Sequence, residues 1–481
     1  MSKHGIYIYE SATPISAPIE SSSAIQVVVG TAPVNMVDDP ASVVNKPILA
    51  NSAQEAMEAL GYCGDFKNYT LCQSMYAMAN VYQIYPVVFI NVLDPAIHKT
   101  AVAEAEYVVT DKQATVKEFG MIKDGIVVKD GADALVNGED YVLEFDQDGY
   151  LVVTLINGSA HASAASLKVS GNKLNPSAIT ANDIIGAYNV STGAETGMEV
   201  IRQVYPKLGV VPGLLLAPGW SQVPAVGIAL MAKAANINGC FKAMALLDLD
   251  TTTVKKYTDC LTAKNSSSYT SEFSMVLWPS VKIGDDIFAA SAIVGALIAY
   301  TDANNEDVPS VSPSNERLAI TGACLADGTD VTLDQDQANT VNGYGVTTAI
   351  NLNGWRLWGN YTGAYPSSTD AKDIWFAVRR MFNWQGNNFL LTYFDKVDDP
   401  MNFILIESIV DSENIRCGAY APDKWAGAYI EYLEADNPIT DILAGKMTFR
   451  QHIAPYTPAQ EIDNILSYDT AMLQSALLGG E

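Results

Sequence analysis

Hydrophobic and polar positions along this 481-residue chain change period several times, and each change predicts a different element. Residues 6–10 (IYIYE) alternate as a strand does, with Ile6 and Ile8 on one face and Tyr7 and Tyr9 on the other. Pro14 and Pro18 follow and forbid regular ladder bonding, so this strand is not expected to turn straight back into a hairpin. The run AIQVVVG predicts a buried strand ending at Gly30. NSAQEAMEALG predicts a helix with an Asn/Ser cap and a terminal Gly61. A second helix over Leu71–Gln83 and a strand at YPVVFINV complete a β-α-α-β arrangement.

From about Ala101 to Asn189 the texture changes to short alternating runs separated by Asp-Gly and Asn-Gly turns, the strongest local hairpin signal. Leu143 and Phe145 alternate before DQDG, and Leu151, Val153 and Leu155 alternate after it. This predicts a small all-β domain inserted into a surface loop of its host. The α/β pattern resumes near Gly197, with strands at VVPGLLLAPGW, FKAMALLDLD and FSMVLWP alternating with helices at VPAVGIALMAKAANING, TVKKYTDCLTAK and Ile287–Tyr300. Such alternation implies a mainly parallel sheet with covered faces. Past a polar loop, TDAKDIWFAVRRMFNWQ predicts an amphipathic helix with Ile374, Val378 and Met381 on one face, and KMTFRQHIAP predicts a strand.

Composition narrows the function classes. The chain is 49% hydrophobic and 17% charged, as packed globular domains are, with 28 basic against 54 acidic residues and a net charge of −26. That balance disfavours contact with nucleic acid or anionic lipid, and it makes copies of the chain repel one another through water. The opening MSKHGIYIYE lacks an apolar h-region, so no secretory leader is expected, and the longest apolar run, Phe288–Tyr300, is too short to span a bilayer. Six scattered cysteines (Cys63, Cys72, Cys240, Cys260, Cys324 and Cys417) fit reduced core thiols.

Catalytic signals are sparse. His4, His98, His161 and His452 lie far apart without neighbours at metal-ligand spacing, and neither a P-loop nor a G-x-G-x-x-G follows the first strand. No metal or other cofactor is expected. Ser221 in APGWSQV stands between strand and helix like a nucleophile elbow, but Val223 occupies the place of the second glycine. Asp248 and Asp250 end a strand where α/β enzymes often hold carboxylates. An α/β hydrolase-like enzyme using Ser221, Asp248 and Asp250 is therefore the alternative to a non-enzymatic protein. The acidic runs at Asp146 and Asp327–Asn339 miss the calcium-loop spacing and read as solvated turns.

Several collinear segments resemble one family, the sheath proteins of contractile phage tails and phage-tail-like bacteriocins. They are HGIYIYE with VVVGTAP, LLLAPGWS before an alanine-rich helix, and four C-terminal stretches: NGWRLWGN, AVRRMF, DNPITDILAGKMTF and IAPYTPAQEI. Family members commonly carry Arg where this chain has Asn360, and Glu where it has Gln460. The resemblance implies a multidomain α/β and α+β fold. Its parts are an N-terminal arm (1–24), an α/β sheath domain in two segments (25–100 and 196–340), an outward-facing inserted β domain (101–195), a tube-proximal C-terminal assembly domain (341–458) and a C-terminal arm (459–481). It also implies arms that add strands to a neighbour's sheet, with Ile6, Tyr7, Ile8, Tyr9, Ile462, Ile465 and Leu466 as the strand residues, and tube contacts from Lys372, Arg379 and Arg380. The implied partners are many copies of itself, an inner tail tube protein, and baseplate and terminator proteins. The implied work is contraction of a tail sheath, assembled in the host cytoplasm for a virion or a released tailocin.

Overall fold

Short runs of Val, Leu and Ile, buried on both faces, assemble one six-stranded sheet. In the computed structural model, which describes residues 23–478, its strands are β1 (Gln26–Gly30), β2 (Pro47–Ala50), β3 (Val87–Asn91), β4 (Leu214–Leu216), β5 (Met244–Asp248) and β6 (Ser274–Leu277). Residues 1–22 and 479–481, and with them Ile6, Tyr7, Ile8 and Tyr9, lie outside the described residues. The order is β6-β5-β4-β1-β3-β2, parallel throughout except for β2, which pairs antiparallel with β3.

Parallel strands carrying apolar side chains on both faces need cover on both. Helices α1 (Ala53–Leu60), α2 (Leu71–Tyr76), α3 (Pro224–Ala235), α4 (Cys260–Ser266) and α5 (Ala290–Ala303) accompany the sheet, and α2, α3 and α5 pack directly on its strands. The ends of α1 are set locally: the Ser52 side chain accepts from Glu55 N, and Gly61 closes the helix at φ +73°. Helix α5, drawn from the longest apolar run, is buried on nearly every side.

Between β3 and β4 the chain leaves this sheet. Strands at Lys99–Val108, Ser166–Leu174, Val127–Asp130 and Asp133–Ala134 form one small sheet, and strands at Gln113–Phe119, Tyr150–Leu155 and Tyr141–Phe145 form another. Together they enclose a separate core that includes Val116, Tyr141, Leu151, Val153 and Leu167. Ile122, Leu174, Ile179 and Ile184 belong to the main core, and a capped single turn at Ala181–Ile185 packs against α3.

The C-terminal region divides later than expected. Ala349, Ile350 and Leu357 of the hairpin Thr348–Asn351/Trp355–Trp358 still belong to the main core, as does Phe376, whereas Met381, Trp384, Cys417 and Trp425 join Val308 in a second one. Helix α6 (Phe376–Tyr393) thus begins in one core and continues into the other. A single helix through TDAKDIWFAVRRMFNWQ does not form. Trp375 is extended (φ −88°, ψ 121°), and Phe376 N donates to Asn360 O at 2.8 Å, so the turn at Ala371–Ile374 stands apart. Gly359 of the W-G pair sits at φ +145°, and a Cβ there would lie 2.9 Å from Thr347 Cα, so only glycine fits.

Helix α7 (Phe403–Ala419) packs on β7 (Trp425–Glu431), which pairs antiparallel with β8 (Arg450–Pro455). Buried Asn437 closes the connector between these strands, donating to Leu433 O and Thr448 O and accepting from Thr448 N at 2.7 Å. Beyond β8, residues 456–469 carry no regular structure before the short helix α8 (Thr470–Leu477).

Candidate assembly interface

At the carboxyl edge of the sheet the fold brings together Ser221 and Asp248. Ser221 Oγ donates to Asp248 Oδ2 at 2.8 Å, and Asp248 N donates to Ser221 Oγ at 3.0 Å. Ser291 donates to the same carboxylate from its backbone N (2.9 Å) and its Oγ (2.6 Å), so Asp248 ties β5 to the loop after β4 and to the first turn of α5. Burial pushes the Asp248 carboxyl above its ordinary range, against the hydrogen bonds from Ser291 and Ser221. Ser221 is 0% exposed. The described histidines are engaged elsewhere: His98 accepts from Asp94 N, His161 faces Asp130, and His452 faces Glu431.

A serine without a base or solvent access lacks what nucleophilic catalysis requires; this pair is a structural clamp. Asp250 accepts from Thr252 and Thr253 in its own loop. An open cleft of about 910 Å³ lies beside it, lined by Phe66, Trp220, Lys255 and Phe288 among others. Asp146, Asp327 and Asp334 likewise accept amides of their own turns, and among the described residues no His/Cys/Asp/Glu group is placed to hold a metal.

The three basic residues assigned to a tube surface are not equivalent. Lys372 is partly exposed and reaches Asp370 (2.6 Å) and Asp373 (2.9 Å). Arg379 and Arg380 are 8% and 3% exposed and do not form a basic face. Arg379 pairs with Asp373 at 3.2 Å and lies over the rings of Phe273 and Phe382. Arg380 forms a two-pronged ion pair with Asp302, Nη1 to Oδ1 at 2.9 Å and Nη2 to Oδ2. In a chain this acidic an arginine on a helix readily meets a carboxylate, and here both do so inside the protein.

The other predicted positions stand in the open. Ile462, Ile465 and Leu466 are 86–88% exposed, on an irregular stretch exposed throughout. Before that stretch leaves the body, Tyr361 OH donates to Gln460 Oε1 at 2.8 Å, and Tyr361 stacks on Tyr365 and Trp375. The β7–β8 sheet has two strands only; on the β7 side Asn414 of α7 accepts from Ile430 N (2.8 Å) and donates to Ile430 O (3.1 Å), and no further strand pairs with either edge among the described residues. Two features went unread in the sequence. Phe394, Val397, Phe403 and Ile404 stand exposed around the α6–α7 turn, a surplus of apolar residues visible in FILIESIV. Glu413, on α7, is enclosed by Arg416, Gln385 and Gln451. Arg416 three residues on was a local signal for that cluster, but the two glutamines come from α6 and β8.

No protein-family model matches the chain. It is 26% identical over 492 residues to the tail sheath protein of Burkholderia phage BcepMu, covering 99% of this chain and 98% of that protein. It is 24% identical to the major tail sheath protein of Serratia phage KSP20 over 69% of this chain and 83% of that one. Its fold is similar to that of the helical sheath of the anti-feeding prophage (AFP) in the contracted state, with TM-score 0.57 and 14% identity over 98% of this chain and 100% of the other. From end to end, the chain is similar in sequence and in fold to the sheath proteins of contractile tails.

Proposed function

We propose that this chain polymerises as a helical sheath around an inner tube and that contraction of the sheath drives the tube through a target cell envelope. The observation that carries this reading is the pairing of surplus and deficit within one subunit. Ile462, Ile465 and Leu466 are almost wholly exposed, while neither edge of the two-stranded β7–β8 sheet is paired with a further strand among the described residues. Addition of a neighbour's extended segments to those edges satisfies backbone groups and buries side chains in one step. Full burial of each aliphatic side chain favours this by about 1.5–3 kcal/mol. Residues 456–469, when extended, reach roughly 45–50 Å, enough to cross to another copy. The N-terminal arm residues Ile6, Tyr7, Ile8 and Tyr9 are assigned to the second edge, and Lys372 remains the tube-facing basic residue of the three.

Contacts of this kind are heterologous and do not close, so they generate a filament. The energy for shortening resides in the lattice, where subunits exchange interfaces as rigid bodies while the arms keep them joined. The polymer assembles in the bacterial host cytoplasm, with baseplate and terminator proteins at its ends, as part of a phage tail or a phage-tail-like particle.

Negative-stain electron microscopy of the purified chain over a range of concentration and salt tests the reading. Hollow cylinders are expected, favoured by salt because each copy carries −26, and absent when residues 1–20 are removed although the monomer stays folded. A salt-indifferent monomer or small ring from the full chain overturns it.

A further inference from the structure

The sheath reading requires the terminal arms to bear load, and two independent observations place the roots of both arms on one helix. The chain enters the described structure at Ser23, just ahead of β1. Ser23 is buried and held on two sides: its Oγ donates to Asp302 Oδ2, and its carbonyl accepts from Arg380 Nη2 at 3.3 Å. Asp302, at the end of α5, is 1% exposed, and Arg380, one turn into α6, is 3% exposed. The first described residue of the chain is therefore held by a buried, two-pronged ion pair.

The second root is Gln460, the first residue of the notional C-terminal arm to be fastened. It accepts from Tyr361 OH at 2.8 Å. Tyr361 stacks against Trp375 with ring centroids 4.9 Å apart, and Trp375 is the N-cap of α6.

Helix α6 is itself fixed to the body by side chains spaced along one face. Asn383 Nδ2 donates to Ala243 O at 3.3 Å, and Asn387 both donates to Lys242 O (2.9 Å) and accepts from Lys242 N (3.0 Å). Arg380, Asn383 and Asn387 follow the i, i+3, i+7 spacing of a helical face, and their backbone partners lie just before β1 and β5, at the amino edge of the parallel sheet. The adjoining side of α6 supplies Met381 and Trp384 to the second core.

We propose that α6 is the common anchorage of both arms, with Arg380 and Asp302 as positioning residues for the N-terminal arm and Tyr361 as the positioning residue for the C-terminal arm. This inference rests on the sheath reading above. Tension on either arm is delivered to a helix bonded to the main sheet and packed in both cores, instead of pulling directly on β1 or drawing out β8. An ion pair suits the N-terminal root because it fixes direction: the guanidinium fork and the serine hydroxyl meet one carboxylate in a single geometry.

The test uses the full-length chain and begins with the double variant R380M/D302L. Removing both charges at once leaves no unpaired buried ion, so the fold is expected to survive. Two readouts separate anchorage from simple stability. Hydrogen exchange of the peptide spanning Ser23–Gly30 is expected to speed up at least tenfold, and the concentration at which cylinders first form is expected to rise about tenfold. Tyr361→Phe, which removes only the hydroxyl, is expected to raise that concentration two- to threefold. Ser291→Ala, which removes a buried hydroxyl bond to Asp248 at the far end of α5 and touches neither α6 nor either root, is expected to leave it unchanged. Should the double variant not fold, Ser23→Ala keeps the ion pair and is expected to give a smaller rise of the same sign. The proposal is overturned if a folded double variant polymerises and exchanges as the parent does, if Ser23→Ala has no effect, or if Ser291→Ala matches the double variant. If the parent chain itself forms no cylinders, the sheath reading is what has failed.

Discussion

The two edges of the central sheet carry opposite kinds of polar chemistry. At the carboxyl edge, where open α/β sheets usually bind ligands, an open cleft stands beside carboxylates that are already satisfied: Asp248 by Ser221 and Ser291, and Asp250 by its own loop. At the amino edge, usually the quieter side, a helix crosses the strand starts and fastens to them through Arg380, Asn383 and Asn387. A polar group near a strand end is functional only if some of its bonding capacity is left for a ligand or partner. Here the polar groups of the carboxyl edge are turned inward for structure, whereas the amino edge is bonded to the helix that joins the second core.

The largest effect should come from cutting on the assembly side. Deletion of residues 459–481 removes a segment exposed at every described position, so the monomer is expected to fold with a nearly unchanged melting curve while cylinder formation is lost in micrographs. A truncated chain that still polymerises would break the contrast between the edges.

Next is the second core. Trp425 is fully buried and donates from Nε1 to Cys417 O at 3.0 Å, so Trp425→Ala is expected to cost about 3–5 kcal/mol in urea unfolding. If the region beyond α6 melts separately, the transition splits in two, which locates the cooperative boundary.

Glu413→Gln probes the buried cluster between α6 and α7. Burial raises the Glu413 carboxyl, but the charge and hydrogen bonds of Arg416, with hydrogen bonds from Gln451 and Gln385, more than offset this and leave it below its ordinary value. Its contribution is therefore present above the unfolded value of roughly 4.3 and lost as pH falls through the lower folded one. The variant is expected to lose about 3 kcal/mol at pH 7, through the stranded Arg416, and to show a flatter decline between pH 5 and pH 3 than the parent, measured by urea unfolding across pH.

The smallest effect is expected at the carboxyl edge. The folded Asp248 carboxyl lies above its unfolded value, so its contribution is fully present below the unfolded value and lost as pH rises through the folded one. Asp248→Asn is thus expected to hold or raise the melting temperature at pH 7 by a few degrees and to leave cylinder formation unchanged. A drop in polymerisation would put this edge at an interface.

Much of the fold was readable where the cause is local. Ser52 and Gly61 marked the ends of α1, the run Phe288–Tyr300 supplied most of α5, and Asp-Gly and Asn-Gly turns marked the separately cored β region. Readings failed where a distant residue decided the outcome. Arg380 looks like a solvent-facing helix charge until Asp302, far back in the chain, is seen to meet it inside the protein. The helix predicted through Trp375 breaks because Asn360 takes the amide of Phe376 and Tyr361 takes the indole face. Ser221 and Asp248 were both picked out, but only their mutual bond shows that neither is free to act.

The sequence by itself determined the order of the elements, their caps and turns, the burial of the sheet strands and the acidity that makes copies repel. These follow from interactions over a few residues, or from composition, and neither depends on where the rest of the chain goes. The tertiary structure decided which charges are enclosed, which edges of β7 and β8 pair with no further strand among the described residues and which helix receives the exits of the chain. Enclosing an ion requires a partner at a fixed distance, and that partner is brought by long-range packing which no local pattern encodes.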